Sequence, residues 1–397
     1  METAQRVWRL VGDRFYDPRM NGVYWIGVRE RYLPRVVAAG SGAQFYRELK
    51  QMLSELGDSH TEVLSPREAL DLRQFVALRT GLVLGVVEGQ VVAAEVAPDT
   101  PAAQAGVRAG DVVTALNGAR RDAAFVQAAL TDPLTARHMP GAGDGPEALP
   151  ADARDAERIR LLRAVRRLLR SQTGSHPAPG TPIEFELQRT REVLHVVLRT
   201  QPQARPPKVE FRWLAAPGGA DASVGGRIAP IRFTCFHPSV RDELERALQN
   251  AAGARGLVID VRGNGGGLLD TYRWVAGEFM PGERVPMLVT RRDGGNPTAQ
   301  KVTEPRVDPR VSRHCPLLMP VAVLIDSRTG SAAELLAVTL AEQRNALLIG
   351  EPTCGCVVGV RVEYVLPDGG GLRIAETGFV SARGVRMEGS QPCRPLG

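Results

Sequence analysis

The strongest constraint on this chain is the run over residues 320–360, which reads as strand, turn, helix and strand. Val321–Ile325 is wholly apolar and flanked by breakers, the pattern of a buried strand. A polar turn over residues 326–330 ends it, and Ser331 opens a helix whose Leu335, Leu336, Val338 and Leu340 can face a core. A second buried strand is expected over residues 346–349. Two readings of Ser331 stand side by side. The turn lifts its hydroxyl clear of the sheet, where the first N–H groups of the helix can stabilise an anion. Equally, Ser331 and Glu334 have the spacing of a capping box, in which the serine only satisfies the helix end.

The rest of the sequence must decide between them. At 397 residues it can build two or three cores, and 43% hydrophobic with 24% charged residues is ordinary globular composition. The formal charge of +6 comes almost wholly from arginine, since lysine occurs only at Lys50, Lys208 and Lys301. Arginine does not deprotonate, so lysine-dependent mechanisms are restricted. No aromatic-interleaved basic patch, zinc finger or RNP-like strand appears, and nucleic acid is not an expected partner.

Five cysteines (Cys235, Cys315, Cys354, Cys356, Cys393) are too few and irregular for a disulfide framework, and the spacing of Cys354 and Cys356 does not suit structural zinc. That pair is expected to be buried and inert, with a bridge or a redox role as the other readings. Structural zinc is therefore not expected. The N-terminus has no apolar leader core, and no 18-residue apolar run occurs. As it stands the protein is expected to be neither exported nor membrane-spanning, and periplasmic if a leader has been removed.

In sequence order, residues 1–78 read as a helical region. Val7, Leu10, Val11 and Phe15 share one helical face, as do Phe45, Leu49, Met52, Leu53 and Leu56. Gly57 marks a helix end, and the polar turn after it carries Ser59 and His60, the best-placed base among six histidines. From Gly81 the pattern changes to short strands and glycine turns, with a loop insertion near residues 120–151 and a helix over 156–169. A Pro/Gln-rich linker at 201–207 leads to the last unit, residues 206–397. There a buried strand ends in the glycine run Gly265, Gly266 and Gly267, whose N–H groups can approach a developing anion closely.

The SPAxxAGxxxGDxxxxxNG-like run makes residues 79–205 resemble a PDZ domain. The resemblance implies capture of polypeptide C-termini by strand addition, with Gly81, Leu82, Val83, Leu84 and Gly85 as carboxylate loop and edge strand. Taken in order, Leu56-Gly-Asp-Ser-His-Thr61, this unit, Asp260-Val-Arg-Gly-Asn-Gly-Gly-Gly267, Ser331-Ala-Ala-Glu334 and Gly350-Glu-Pro-Thr-Cys-Gly355 resemble the C-terminal processing (tail-specific) peptidases and the tricorn core. That family implies a mixed α/β protein with a crotonase/ClpP-like β/α spiral core, no cofactor, and protein or peptide substrates with free C-termini.

One departure matters. Tail-specific peptidases pair the serine with a lysine at the position that Cys356 occupies here, and no lysine follows Lys301. The tricorn-like branch uses histidine instead. The resemblance then implies Ser331 as nucleophile, His60 as base, Ser59 and Glu388 as its orienting partners, and N–H groups of Gly266 or Gly265 and Ala332 as oxyanion hole. The expectation is a serine peptidase. Its rivals are a catalytically silent PDZ binding module and a retinoid- or lipid-binding relative.

Overall fold

The computed structural model describes residues 1–73, 78–120, 125, 180–202, 208–215, 227–280, 285, 287–292, 300–303 and 317–389. The protein opens with helices α1 (Glu2–Arg14), α2 (Trp25–Val37) and α3 (Gly42–Ser54). Trp8 and Trp25 tie α1 to α2 reciprocally, each indole N–H donating to the other's carbonyl at 3.2 and 3.1 Å. Ser41 caps α3 by accepting from the Gln44 N–H. Strand β1 (Glu62–Leu64) and helix α4 (Pro66–Arg73) follow. These helices do not bury their apolar faces among themselves alone. Val7, Val11, Leu49 and Leu53 share one cluster with Val358, Leu372 and Ile374, distant in sequence. At about 1.5–3 kcal/mol per buried large side chain, that face fixes the N-terminal region on the C-terminal sheet.

The next unit is an antiparallel sheet. Strands β2 (Leu78–Arg79), β3 (Leu82–Val87) and β4 (Gln90–Val96) lead to helix α5 (Pro101–Gln104). Then come β5 (Val112–Leu116), β6 (Ala119–Arg120), β7 (Pro182–Arg189), β8 (Glu192–Arg199) and β9 (Gln201–Pro202). The sheet order is β3-β4-β5-β7-β8, which leaves β3 at an edge, and β2 pairs with β9 where the backbone enters and leaves. Its core is its own: Val91, Ala93, Val113, Leu116, Phe185 and Leu187. Arg189 donates to Asp111 from Nε and Nη2, each at 2.7 Å, and holds β7 against the turn before β5. The expected helix over 156–169 and nearly all of the expected insertion at 120–151 lie outside the described residues.

The C-terminal part contains β10 (Val209–Phe211), β11 (Leu214–Ala215), β12 (Arg227–Phe233), α6 (Arg241–Asn250), β13 (Gly256–Asp260) and α7 (Leu269–Gly277). It continues through β14 (Met287–Arg292), β15 (Gln300–Thr303), β16 (Val321–Ile325), α8 (Ala332–Arg344), β17 (Leu347–Gly350), β18 (Val358–Val365) and β19 (Gly371–Ser381). Strands β12, β13, β16 and β17 run parallel, as helical crossovers require. The class is mixed α/β, as expected. Because β13 and β16 are parallel neighbours, their carboxyl ends open at one edge, where ligands bind in such sheets. The glycine turn leaves one strand there, and the Ser331 turn leaves the other. A second sheet, β1-β19-β14-β15 with β18 on β19, pairs Glu62 with Arg373 and so carries the turn of residues 58–61 to this side.

Candidate active site

Ser331 sits at the start of α8 with φ 52° and ψ −122°. A helix cap ordinarily has β-region angles, and a non-glycine residue at positive φ is strained. The turn is held on every side. The Ser331 N–H donates both to the Cys356 carbonyl at 3.1 Å and to Glu334 Oε2 at 3.0 Å, while the Ser331 carbonyl accepts from Leu335. Glu334 therefore supplies the capping-box contact that its spacing announced.

It also does more. Its carboxylate is fully buried, and Oε1 accepts from the Thr353 hydroxyl at 2.6 Å and the Gly355 N–H at 2.7 Å. Oε2 takes the Cys356 N–H at 3.0 Å beside that of Ser331. Burial pushes this carboxyl up, against the pull of its four donors. Sequence reading missed Glu334 as a hub; the signal was a carboxylate in a first helical turn whose remaining positions were all apolar.

A second series of bonds starts in the turn before β1. Asp58 Oδ1 accepts from the N–H groups of His60 and Thr61 at 2.9 and 2.6 Å, fixing the turn. His60 Nδ1 lies 2.6 Å from Ser59 Oγ, and Ser59 Oγ lies 3.0 Å from Glu388 Oε2. Glu388 also accepts the Ser59 N–H on Oε1 at 2.8 Å and the Val357 N–H on Oε2 at 2.6 Å. A hydroxyl has one proton, and an ionised carboxylate only accepts. Ser59 therefore donates to Glu388 and accepts from His60 Nδ1–H, which leaves the proton off Nε2. Val357 and Cys356 are adjacent, so the Glu388 relay and the Ser331 turn are tied to neighbouring peptide groups.

The glycine turn is stitched to the serine turn. Gly330 N–H donates to the Asn264 carbonyl at 3.0 Å, and Gly263 N–H to Asp326 Oδ1 at 2.9 Å. A Cβ on Gly266 would stand 2.6 Å from Ser331 Cβ and 2.8 Å from the Ala332 nitrogen, and Gly266 has φ +97°. Only glycine fits that approach. The expected oxyanion donors divide here. The Gly266 N–H is occupied, donating to Asn264 Oδ1 at 2.9 Å, whereas the Gly265 and Ala332 N–H groups make no hydrogen bond among the described residues. Asn264, wholly buried, was not singled out from sequence; an Asn before glycines is the signal of the Asx turn it makes.

The expectation that Cys354 and Cys356 are inert buried thiols is corrected. They form a disulfide across Gly355, at the position where the lysine of tail-specific peptidases would stand. The edge strand expected to take up a peptide, residues 82–87, borders the antiparallel unit, and Gly81 at φ +81° packs so closely on Thr100 that a Cβ there would overlap it.

Residues 227–392 match peptidase family S41. The protein is a peptidase. Residues 5–54 of this peptidase match the tricorn protease C1 domain, and residues 92–124 match a PDZ domain. The "C-terminal processing peptidase, chloroplastic" of Tetradesmus obliquus is 26% identical over 95% of this sequence and 73% of its own length. The "Carboxyl-terminal-processing protease" of Picosynechococcus is 24% identical over 99% of this sequence and 83% of its own. Among solved structures, the photosystem II D1 C-terminal processing protease superposes with TM-score 0.61 at 24% identity, covering 98% of this protein and 90% of that one. Mature CPAF gives 0.65 at 13% identity over 99% and 91%. Both structures share the fold. The peptidase thus acts on peptides or proteins, and among its described residues no helix is long and apolar enough to cross a membrane.

Proposed function

We propose that this peptidase cleaves peptide bonds by a Ser331–His60 mechanism in which Ser59 and Glu388 orient the imidazole. The observation that carries the reading is the Glu388–Ser59–His60 relay, which leaves Nε2 as the proton acceptor. His60 Nε2 takes the Ser331 proton as Oγ attacks the substrate carbonyl, and the imidazolium is stabilised through Ser59 by the Glu388 charge. The Ala332 and Gly265 N–H groups hold the oxyanion, a contribution of about 2.7–4 kcal/mol for each such donor. Collapse passes the His60 proton to the leaving amine, and water then hydrolyses the acyl-enzyme by the same route.

The lysine alternative has no support among the described contacts. Lys50 pairs with Glu68 at 2.6 Å, and exposed Lys208 pairs with Glu210. Substrate C-termini are taken by the PDZ-like unit, whose edge strand β3 can accept an added strand with the loop at Gly81 around the carboxylate.

Hydrolysis of an unstructured polypeptide tests both parts. Wild type cleaves it, whereas Ser331→Ala and His60→Ala, folded by circular dichroism, do not. Free-acid peptides are cleaved faster than their amides; equal rates would remove tail recognition and leave the catalytic assignment standing.

A further inference from the structure

The Cys354–Cys356 disulfide lies where the two halves of the site meet, and no step of hydrolysis uses it. Its three residues make four backbone contacts to the serine turn. Cys354 N–H donates to the Thr329 carbonyl at 3.0 Å, Gly355 and Cys356 N–H donate to Glu334, and the Cys356 carbonyl accepts the Ser331 N–H. The same segment grips the other half: the Gly355 carbonyl accepts from Gly389, next to Glu388, and Val357 N–H donates to Glu388. Gly355 between the cysteines has φ +65°, so the bridge closes a tight left-handed turn. Both cysteines are only partly buried, within reach of an external thiol.

We propose that Cys354–Cys356 is a thiol–disulfide exchange site whose oxidised form holds Ser331 and Glu388 in register, and whose reduction by a dithiol slows catalysis. A thiolate of the dithiol attacks one sulfur and the other leaves as a thiolate that takes up a proton. The second thiol of the donor then resolves the mixed disulfide. The donor ends as a disulfide and the peptidase with two thiols; exchange with an oxidised dithiol reverses it. Once free, the 354–356 turn is no longer cross-linked, and the bonds to Glu334, Ser331 and Glu388 rest on a segment that can open. The effect on rate follows from geometry, since a misplacement of about 1 Å in a catalytic array costs about a hundredfold. This inference rests on Ser331 being the nucleophile.

The test uses the full-length protein and a fluorophosphonate probe, with the adduct mapped to Ser331 and free thiols counted by alkylation and mass spectrometry. Dithiothreitol is expected to open Cys354–Cys356 and to lower the labelling rate about ten- to a hundredfold. Reoxidation with its cyclic disulfide restores the rate. The double variant Cys354→Ser/Cys356→Ser is slow and indifferent to the reductant, while Cys235→Ser, removing the free thiol near β12, responds as wild type does. Equal labelling of the reduced and oxidised wild type overturns the proposal, as does a pair that stays closed in excess dithiol. Absence of any Ser331 adduct in the oxidised protein overturns the nucleophile assignment, and this inference with it.

Discussion

Ser59, 329 residues from Glu388 in sequence, donates two hydrogen bonds to its carboxylate, from the N–H at 2.8 Å and from the hydroxyl at 3.0 Å. The pair sets the direction of every proton between Glu388 and His60. In Glu388→Gln the amide can donate to Ser59 Oγ, turning the hydroxyl proton toward His60 Nδ1 and leaving Nε2 protonated. A wrong tautomer of this kind costs about ten thousandfold in kcat with binding retained. Steady-state kinetics on a peptide substrate are expected to show kcat falling by about that factor and KM changing little; a change confined to KM would contradict the relay.

Glu334 is expected to matter for stability as well as for the turn. Glu334→Ala leaves the Gly355 and Cys356 N–H groups and the Thr353 hydroxyl without this acceptor, at about 1–3 kcal/mol each, while the Ser331 N–H keeps the Cys356 carbonyl. Urea denaturation is expected to show a loss of several kcal/mol.

Glycine chemistry separates two neighbours. Gly266→Ala collides with Ser331 and Ala332 at a positive φ, whereas a Cβ on Gly265 meets nothing within 4 Å. Thermal denaturation is expected to show Gly266→Ala strongly destabilised, by about 1–3 kcal/mol or more from overpacking. Gly265→Ala should stay within about 0.5 kcal/mol of wild type.

The pH dependence of the antiparallel unit follows from Asp111. The Arg189 hydrogen bonds hold its carboxyl below the ordinary 3.8. A carboxyl depressed in the folded state contributes stability that is full above the unfolded value and is lost as pH falls through the folded one. Hydrogen exchange of β5 and β7 amides, corrected for the intrinsic rate, is expected to show protection falling below about pH 3.8 in wild type. Arg189→Met should show lower protection at neutral pH and a flatter acid limb.

Much of this was legible in the residues. The apolar run of β16, the polar turn and the apolar start of α8 placed Ser331 between strand and helix from the local pattern alone. The order of the motifs from His60 to Ser331 pointed to a peptidase. Other features were hidden because they depend on distant partners. Strand β1 is three residues long and exists by pairing with β19, a contact no local pattern announces. The positive φ of Ser331 falls on a residue type that rarely adopts it, so only the closure of the surrounding bonds reveals it. The occupied N–H of Gly266 needed the side group of Asn264 in place, and the disulfide needed the turn at Gly355.

The central claim is that Ser331 is a nucleophile activated by His60, and intact-protein mass spectrometry after fluorophosphonate treatment tests it most directly. The oxidised wild type is expected to gain one adduct mapped to Ser331. Ser331→Ala should gain none, and His60→Ala should react about a hundred- to ten-thousandfold more slowly, the usual contribution of a positioned base. An adduct at Ser331 that forms equally fast in folded His60→Ala would contradict the account.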